Sequence, residues 1–346
     1  MNYAEFVRRL PKAELHIHYE GSMRQKTFFE LARKNGIPLP TENAEELYNY
    51  DTLVDFLKIY DLCAKAIRDQ GDFARVAYES LEDGVKRGNL RYREMFFNPT
   101  THTSEGVRYE TVMDGMLEGI RAAEKDFGVR CRLIPSIYRA HSPRTAQEMM
   151  ETLVQRYRDD IIGMGSDALP DDGTEGLQHF VKTYRYAKQQ GLRVSAHAAE
   201  SKNTSHNFTY ALDTLGCDRI DHGYDVLASD DLVKRAVDEG IFFTCCLTAV
   251  AVTQVWPDLT RQPIREMAER GINITLNSDD PAMFNTDIGK EFVLGCESME
   301  FSVDRAVQLA LAGIDGSWLD ETEKKSMRSD FEKEIAALRS ELSLAA

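Results

Sequence analysis

Short apolar segments recur eight times along this chain, and longer segments with apolar residues at helical spacing separate most of them. Short runs of β-branched, aromatic and apolar residues predict buried strands, whereas apolar residues three and four positions apart predict amphipathic helices. Strand and helix alternating eight times predict an α/β fold, the parallel (β/α)8 or TIM barrel. The predicted strands are Ala13–His18, Leu90–Phe97, Val129–Tyr138, Ile161–Ser166, Leu192–His197, Arg219–His222, Ile241–Thr244 and Ile272–Asn277.

The chain has 346 residues, more than the roughly 250 that a barrel of this kind needs. No linker or repeat marks a boundary, so we predict one domain over residues 1–346 with two additions. One is a helical insertion after the first strand, over residues 25–70, and the other is a helical extension from Val303 to the end. An apolar stripe in the extension predicts a helix packed on the barrel; it consists of Met327, Phe331, Ile335 and Leu338.

The charge balance excludes some partners. With 42 basic and 57 acidic side chains, the chain carries a formal charge of −15, which repels nucleic-acid phosphates and anionic lipid surfaces. We therefore expect neither a nucleic-acid nor a membrane partner. The chain has no apolar run of membrane-spanning length, no apolar signal core and no C-x-x-C pair, which together predict a cytoplasmic protein.

Metal-binding and acidic residues gather where the predicted strands end. Side chains two apart on a strand leave the same face, and barrel active sites form at the carboxyl ends of the strands. An isolated H-x-H pair fits ordinary polar strand-end residues as well as a metal site, but further residues of this kind follow other strands. They are His16 and His18 at the first strand, His197 and Glu200 at the fifth, Asp221 and His222 at the sixth, and Asp279 and Asp280 at the eighth.

This residue set suits a catalytic zinc ion. Three imidazoles and one carboxylate leave one position open for water, whose pKa zinc lowers from 15.7 to about 7. Glu200 follows a candidate ligand by three residues and is a candidate proton donor, which requires a raised pKa. His222 and Asp280 are candidates for accepting a proton and orienting the water.

The segments PKAELHIHYEGS, HAAE, RIDHG and NSDDP occur in this order, each at a predicted strand end. They resemble the adenosine and adenine deaminase family of metal-dependent amidohydrolases. The resemblance implies one zinc ion, or another divalent ion, held by His16, His18, His197 and Asp279. The segment IIGMGSDALP after the fourth strand lacks the lysine that bridges two metals in binuclear relatives, which favours a single metal.

The resemblance also implies a reaction. Water activated at the metal attacks a ring carbon that carries an amino group, and ammonia leaves. His222 assists deprotonation of the water, Glu200 protonates the neighbouring ring nitrogen, and Asp280 orients the nucleophile. The implied substrate is a small amino-heterocycle, foremost a 6-aminopurine base or nucleoside, and the implied substrate contacts are His18, Glu20, Ser166 and Asp280.

The family pattern is not matched everywhere. Adenosine deaminases usually carry Asp where this chain has Glu20, and a small Gly where it has Ala199. Ser166 aligns with a glycine whose backbone N–H contacts the purine in the family. Because these differences concern the pocket, they leave adenine, adenosine and substituted nucleosides such as aminodeoxyfutalosine open as substrates.

Two other functions compete with this one: hydrolysis of another carbon–nitrogen bond, and a catalytically idle relative that binds a ligand. The second would not need Glu200, His222 and Asp280, yet all three are present. In the insertion, an apolar cluster predicts either a lid over the site or a helix packed on the barrel; it consists of Leu53, Phe56, Leu57 and Tyr60. The sequence leaves the oligomeric state open.

Overall fold

Eight parallel strands follow one another in sequence order in the computed structural model, which describes residues 3–43, 46–48, 53–170, 172–253, 255–256, 258 and 262–342. This arrangement confirms the predicted (β/α)8 barrel. The strands are β1 Lys12–Glu14, β2 Leu90–Phe97, β3 Arg130–Tyr138, β4 Gly163–Asp167, β5 Arg193–Ala198, β6 Arg219–His222, β7 Phe242–Cys245 and β8 Asn273–Leu276.

Helices surround the sheet, and buried apolar faces hold them against it. The first seven α-helices are α1 Tyr3–Arg9, α2 Gln25–Asn35, α3 Leu53–Ala66, α4 Gln70–Gly88, α5 Pro99–Thr103, α6 Tyr109–Phe127 and α7 Pro143–Tyr157. The remaining ones are α8 Val181–Gln189, α9 His206–Tyr210, α10 Asp230–Asp238, α11 Leu247–Val252, α12 Pro263–Glu269, α13 Ile288–Ser298, α14 Val303–Asp315 and α15 Glu321–Glu341.

The two predicted additions are helical. The insertion after β1 contains α2 and α3, and the extension consists of α14 and α15. All four residues of the predicted apolar stripe are buried along α15, which packs against α14. Asp320 begins α15 by accepting hydrogen bonds from the backbone N–H groups of Thr322 and Glu323, the capping pattern expected at a helix start.

The first strand is shorter than predicted. Its continuous pairing with β2 covers only Lys12–Glu14, and the predicted residues up to His18 form isolated bridges. One cause is Asn277, whose side-chain oxygen accepts the Leu15 backbone N–H at 2.8 Å and so takes the place of a neighbouring strand. The chain continues past Glu14, and its bridge from Ile17 to Asp279 closes the barrel.

Closure joins the chain after β1 to the chain after β8. His18 donates its backbone N–H to the carbonyl oxygen of Asp279 at 2.8 Å, and Asp279 donates its own to the carbonyl of His16 at 3.2 Å. Three of the four predicted metal ligands therefore carry the closing hydrogen bonds of the barrel.

A buried ion pair lies inside the barrel, where Arg219 Nε is 3.8 Å from Asp221 Oδ1. Arg219, the first residue of β6, donates to Glu94 at 2.6 Å, and both side chains are almost completely buried. Glu94 also accepts the Trp318 backbone N–H and the Tyr92 hydroxyl, and the Arg219 guanidinium lies 4.1 Å from the centre of the Trp318 ring.

Among the described residues, no helix is long and apolar enough to cross a membrane.

Candidate active site

The four predicted metal ligands meet at the carboxyl end of the barrel. Asp279 Oδ1 lies 3.2 Å from both His16 Nε2 and His18 Nε2, and His18 Nε2 lies 3.2 Å from His197 Nε2. All four side chains are buried. In a tetrahedral zinc site with bonds of about 2.0–2.1 Å, ligand atoms are roughly 3.3 Å apart. These three separations match one zinc ion. The candidate ligand atoms form two groups that share Asp279: His16, His197 and His222 belong to one group, and His18 and Asp280 belong to the other.

Hydrogen bonding supports the same interpretation. His16 Nε2 is buried and close to Asp279, yet it has no hydrogen-bond partner among the described residues. The two groups approach one another without the geometry of a hydrogen bond, as expected of side chains directed at a common point. Such an unsatisfied buried group is costly unless an ion or water completes it.

Polar groups lie on the far side of each histidine ring. His16 Nδ1 is 2.8 Å from the Thr244 hydroxyl, which itself donates to Asp221. Asp221 also lies 3.7 Å from His197 Nδ1, and Asp167 lies 3.4 Å from His18 Nδ1. Groups in these positions fix the ring orientation and leave Nε2 free for a metal.

The protonation of the cluster is shaped by burial and by its carboxylates. Burial lowers the pKa of His16 and holds that of His197 well below its usual range, so both rings are neutral and can ligate. Burial acts the same way on His18, but the carboxylates of Asp280 and Asp279 outweigh it and raise its pKa to about 10. A metal bound here must displace that proton.

Glu200 and His222 flank the metal cluster. Glu200 Oε1 lies 3.9 Å from His222 Nε2, which in turn lies 3.9 Å from Asp279 Oδ2. Burial and the charge of Asp279 raise the pKa of Glu200 to about 7, although 30% of its side chain is exposed, on the wall of the cavity. Burial lowers the pKa of His222, which keeps its ring neutral. The pair thus combines an acid near its protonation midpoint with a neutral base.

Three strand ends turn through left-handed backbone. Ala199, His222 and Asp279 have φ values of 53°, 64° and 62°. Such a conformation costs about 1–3 kcal/mol for a residue other than glycine and persists only where the surroundings enforce it. Ala199 is one of them, so the departure from the family glycine adds backbone strain at this turn.

Asp280 lies directly against Gly21 of the HYEGS segment. A β-carbon at Gly21 would lie 1.7 Å from Asp280 Oδ1, so only glycine leaves room for this carboxylate. Burial, together with the charge of Asp279, raises the pKa of Asp280 well above its usual range. The glycine of the motif is thus explained by the position of Asp280.

A narrow cavity of about 90 Å³ opens above the cluster. Its walls include His18, His197, Glu200, His222, Asp279 and Asp280, which the sequence analysis had selected, and also Asn98, Tyr138, Arg139, Asp167, Ala168, Leu169, Ala249 and Thr253. From α3, Phe56, Leu57 and Tyr60 also line it, while the side chain of Leu53 lies outside the described residues. The Phe56 ring lies 4.9 Å from that of Phe284, which follows β8, so α3 covers the cavity as the lid interpretation expects.

Two predicted substrate contacts do not line the cavity. The side chain of Ser166 points away from it and accepts a hydrogen bond from Tyr184 of α8, because successive strand residues face opposite sides and Asp167 takes the inward position. A substrate contact through the Ser166 backbone N–H stays a prediction. Glu20 is completely buried one layer behind the wall. It contacts the hydroxyl of Tyr60, the backbone N–H of Asn98 and the ring of His102 at 3.0–3.1 Å.

Two residues that follow strands hold this wall, and sequence reasoning missed one of them, Arg139. Asn98 donates to Asp167 at 2.8 Å and accepts from Tyr60 at 2.6 Å, which links β2, β4 and α3. Arg139, just after β3, donates to the carbonyl oxygens of Asp167, Ala168 and His197. Only the strand-end position of these residues could have signalled them.

Comparison with known proteins places these residues in a family. The model of the adenosine deaminase family matches residues 11–334. The chain belongs to the adenosine deaminase family. An adenine deaminase of Caulobacter vibrioides is 35% identical over 338 residues, which cover 96% of this chain and 96% of that protein.

Solved structures agree with this assignment. The adenine deaminase from Arthrobacter aurescens superposes with a TM-score of 0.87 at 32% identity, covering 95% of this chain and 98% of its own. An amidohydrolase from Burkholderia ambifaria with bound Zn gives a TM-score of 0.92 at 32% identity, covering 99% and 96%. The adenosine deaminase family consists of metal-dependent hydrolytic deaminases, so the predicted family, fold and enzyme class are confirmed.

Proposed function

We propose that this protein is a zinc-dependent hydrolase that deaminates a free 6-aminopurine base, with adenine as the preferred substrate. The charged side chains of the cavity wall are the observation that supports a free base as the substrate. Apart from the histidines, Arg139 is the one basic side chain among the described residues of that wall; it is buried, and its Nε and Nη1 donate to three backbone carbonyls. A substrate phosphate would therefore meet several carboxylates and only this one buried guanidinium.

The wall offers acceptors to a ligand that carries N–H groups. Asp167 and Asp280 line the wall, and Asp167 Oδ2 and Asp280 Oδ1 have no hydrogen-bond partner within the described part of the chain, although Asp167 Oδ2 lies 3.4 Å from His18 Nδ1 and Asp280 Oδ1 lies against Gly21. A free purine base has a ring N–H on its five-membered ring, whereas in a nucleoside the sugar replaces that hydrogen.

Residue roles follow from the same geometry. When bound, a zinc ion supplies a water whose pKa is lowered to about 7. His222, held neutral by burial, accepts a proton from the attacking water. Glu200 donates its proton to the ring nitrogen beside the carbon that bears the amine, and Asp280 orients the water. The amino group takes the proton from His222 and leaves as ammonia, and the attacking oxygen becomes the ring carbonyl as its remaining proton returns to Glu200.

Ammonia release by the zinc-loaded protein tests this proposal, with adenine, adenosine, AMP, aminodeoxyfutalosine and pterins as substrates. We expect kcat/KM for adenine to exceed that for adenosine by about 10²-fold or more, because a site built around a ring N–H rejects the analogue that lacks it. In Asp167→Asn, this preference should shrink. A higher kcat/KM for adenosine or AMP contradicts the choice of a free base. If no substrate releases ammonia, the proposed deaminase activity is wrong.

A further inference from the structure

The backbone that carries Glu200 is held from outside the barrel. Ala199, the residue before it, has the left-handed φ of 53° and is buried. Its carbonyl oxygen accepts the Asp225 backbone N–H at 2.8 Å. Its own N–H and that of Glu200 point the other way, so a partner on that side must satisfy two successive donors.

Glu175 is that partner. It lies between β4 and α8 and is only 6% exposed. Its Oε2 accepts the Ala199 N–H at 3.0 Å, and its Oε1 accepts the Glu200 N–H at 3.2 Å. Glu175 does not belong to the described wall of the cavity, so it has no direct access to a substrate there.

We propose that Glu175 is a positioning residue that aims the Glu200 carboxylate at the substrate by binding the backbone N–H groups of Ala199 and Glu200. This inference rests on the proposed role of Glu200 as the proton donor. The bond to Ala199 stabilises a strained turn, and the bond to Glu200 fixes the residue itself. Without the carboxylate, two buried N–H groups lose their acceptors and the turn is free to relax.

Asp225, which follows β6, provides a matched control because its carboxylate binds the same loop that carries Glu200. Its carboxylate accepts the backbone N–H groups of Thr204 and Ser205, which are the fourth and fifth residues after Glu200. Asp225→Ala therefore removes two bonds of the same kind without releasing the Glu200 N–H. The backbone bond from Asp225 to Ala199 does not involve the replaced side chain.

The experiment compares the full-length zinc-loaded protein with Glu175→Ala, Glu175→Gln and Asp225→Ala. For Glu175→Ala we expect kcat for adenine to fall about 10²-fold, the effect of a misplacement near 1 Å, with KM and zinc content unchanged. Glu175→Gln should recover part of kcat, because its amide oxygen accepts one of the two N–H groups. Asp225→Ala should keep kcat even if its melting temperature falls as much as that of Glu175→Ala.

Wild-type kcat in Glu175→Ala, or an equal loss of kcat in Asp225→Ala, overturns the proposal. Crystal structures of the zinc-loaded variants separate this inference from the proposed function. If the wild type releases no ammonia from adenine but Glu200 is displaced in Glu175→Ala, the positioning role holds and the proposed function fails. If Glu200 keeps its place in Glu175→Ala, the positioning role itself is wrong.

Discussion

His18 and Asp279 are joined twice, once through the backbone and once through their side chains. The His18 N–H donates to the Asp279 carbonyl oxygen at 2.8 Å, and His18 Nε2 lies 3.2 Å from Asp279 Oδ1. The first contact closes the barrel and the second belongs to the metal cluster. Barrel closure thus sets the spacing of the ligands before any metal binds.

Replacing the Asp279 side chain should remove its contact with His18 Nε2 and keep the backbone hydrogen bond that closes the barrel. Asp279→Ala removes the only carboxylate of the predicted ligand set but leaves the backbone bonds, so we expect the barrel to fold and zinc to be lost on dialysis. Elemental analysis of the dialysed protein measures this loss, and circular dichroism checks the fold. Asp231→Ala, at an exposed position on α10, is the control. One zinc ion per chain retained by Asp279→Ala rules out its role as a ligand.

Replacing Glu200 should stop turnover without releasing the metal. Glu200→Gln keeps the size of the side chain but cannot donate the proton, and general acid catalysis contributes about 10²–10⁴-fold. We expect a loss of kcat in this range with full zinc content, measured by ammonia release and elemental analysis. Glu239→Gln, on the surface, should behave as the wild type. Wild-type kcat in Glu200→Gln means that another group supplies the proton.

The pH dependence of kcat/KM should follow the same carboxyl group. An ordinary glutamate, with a pKa of about 4.3, is almost fully ionised at neutral pH. Because the pKa of Glu200 is raised to about 7, its protonated form predominates below pH 7 and is lost above it. We therefore expect kcat/KM to fall as pH rises through about 7, and the residual activity of Glu200→Gln to lack this limb. Activity that rises through pH 7 contradicts the assignment of Glu200 as the acid.

Gly21→Ala should displace Asp280. The added methyl group would lie 1.7 Å from Asp280 Oδ1, so the carboxylate must move. A displacement near 1 Å costs about 10²-fold in rate, which we expect in kcat while zinc stays bound. Gly71→Ala, on α4, adds the same group 3.3 Å from its nearest neighbour and serves as the control. Equal kcat values for the two variants would mean that Asp280 has no part in turnover.

The buried ion pair of Arg219 and Glu94 should contribute to stability. Arg219→Met leaves the Glu94 carboxylate buried without its cation, which costs about 3–5 kcal/mol of unfolding free energy. Urea denaturation measures this loss, and the double variant Arg219→Met with Glu94→Gln should recover part of it. An unaltered urea midpoint in Arg219→Met disproves the proposed contribution of the pair.

The sequence was informative wherever a local pattern decides the outcome. Periodicity identified all eight strands and the helical additions, because burial of one face imposes it on each element separately. The H-x-H pair and the acidic residues after β8 pointed to the site, because parallel strands bring their carboxyl ends to one edge. The inward position of the Asp167 side chain was not predicted, because adjacent strand residues differ only in the side they face.

The amino-acid order by itself determined the alternation of strand and helix and the family, and it predicted the metal-binding set. The tertiary structure decided what surrounds that set: Asp221 behind His16 and His197, Asp280 against Gly21, and Glu175 beneath the Glu200 turn. These contacts join residues far apart in the chain through single side chains. A side chain that serves one partner across the barrel leaves no periodic trace in the sequence, so only the folded chain reveals it.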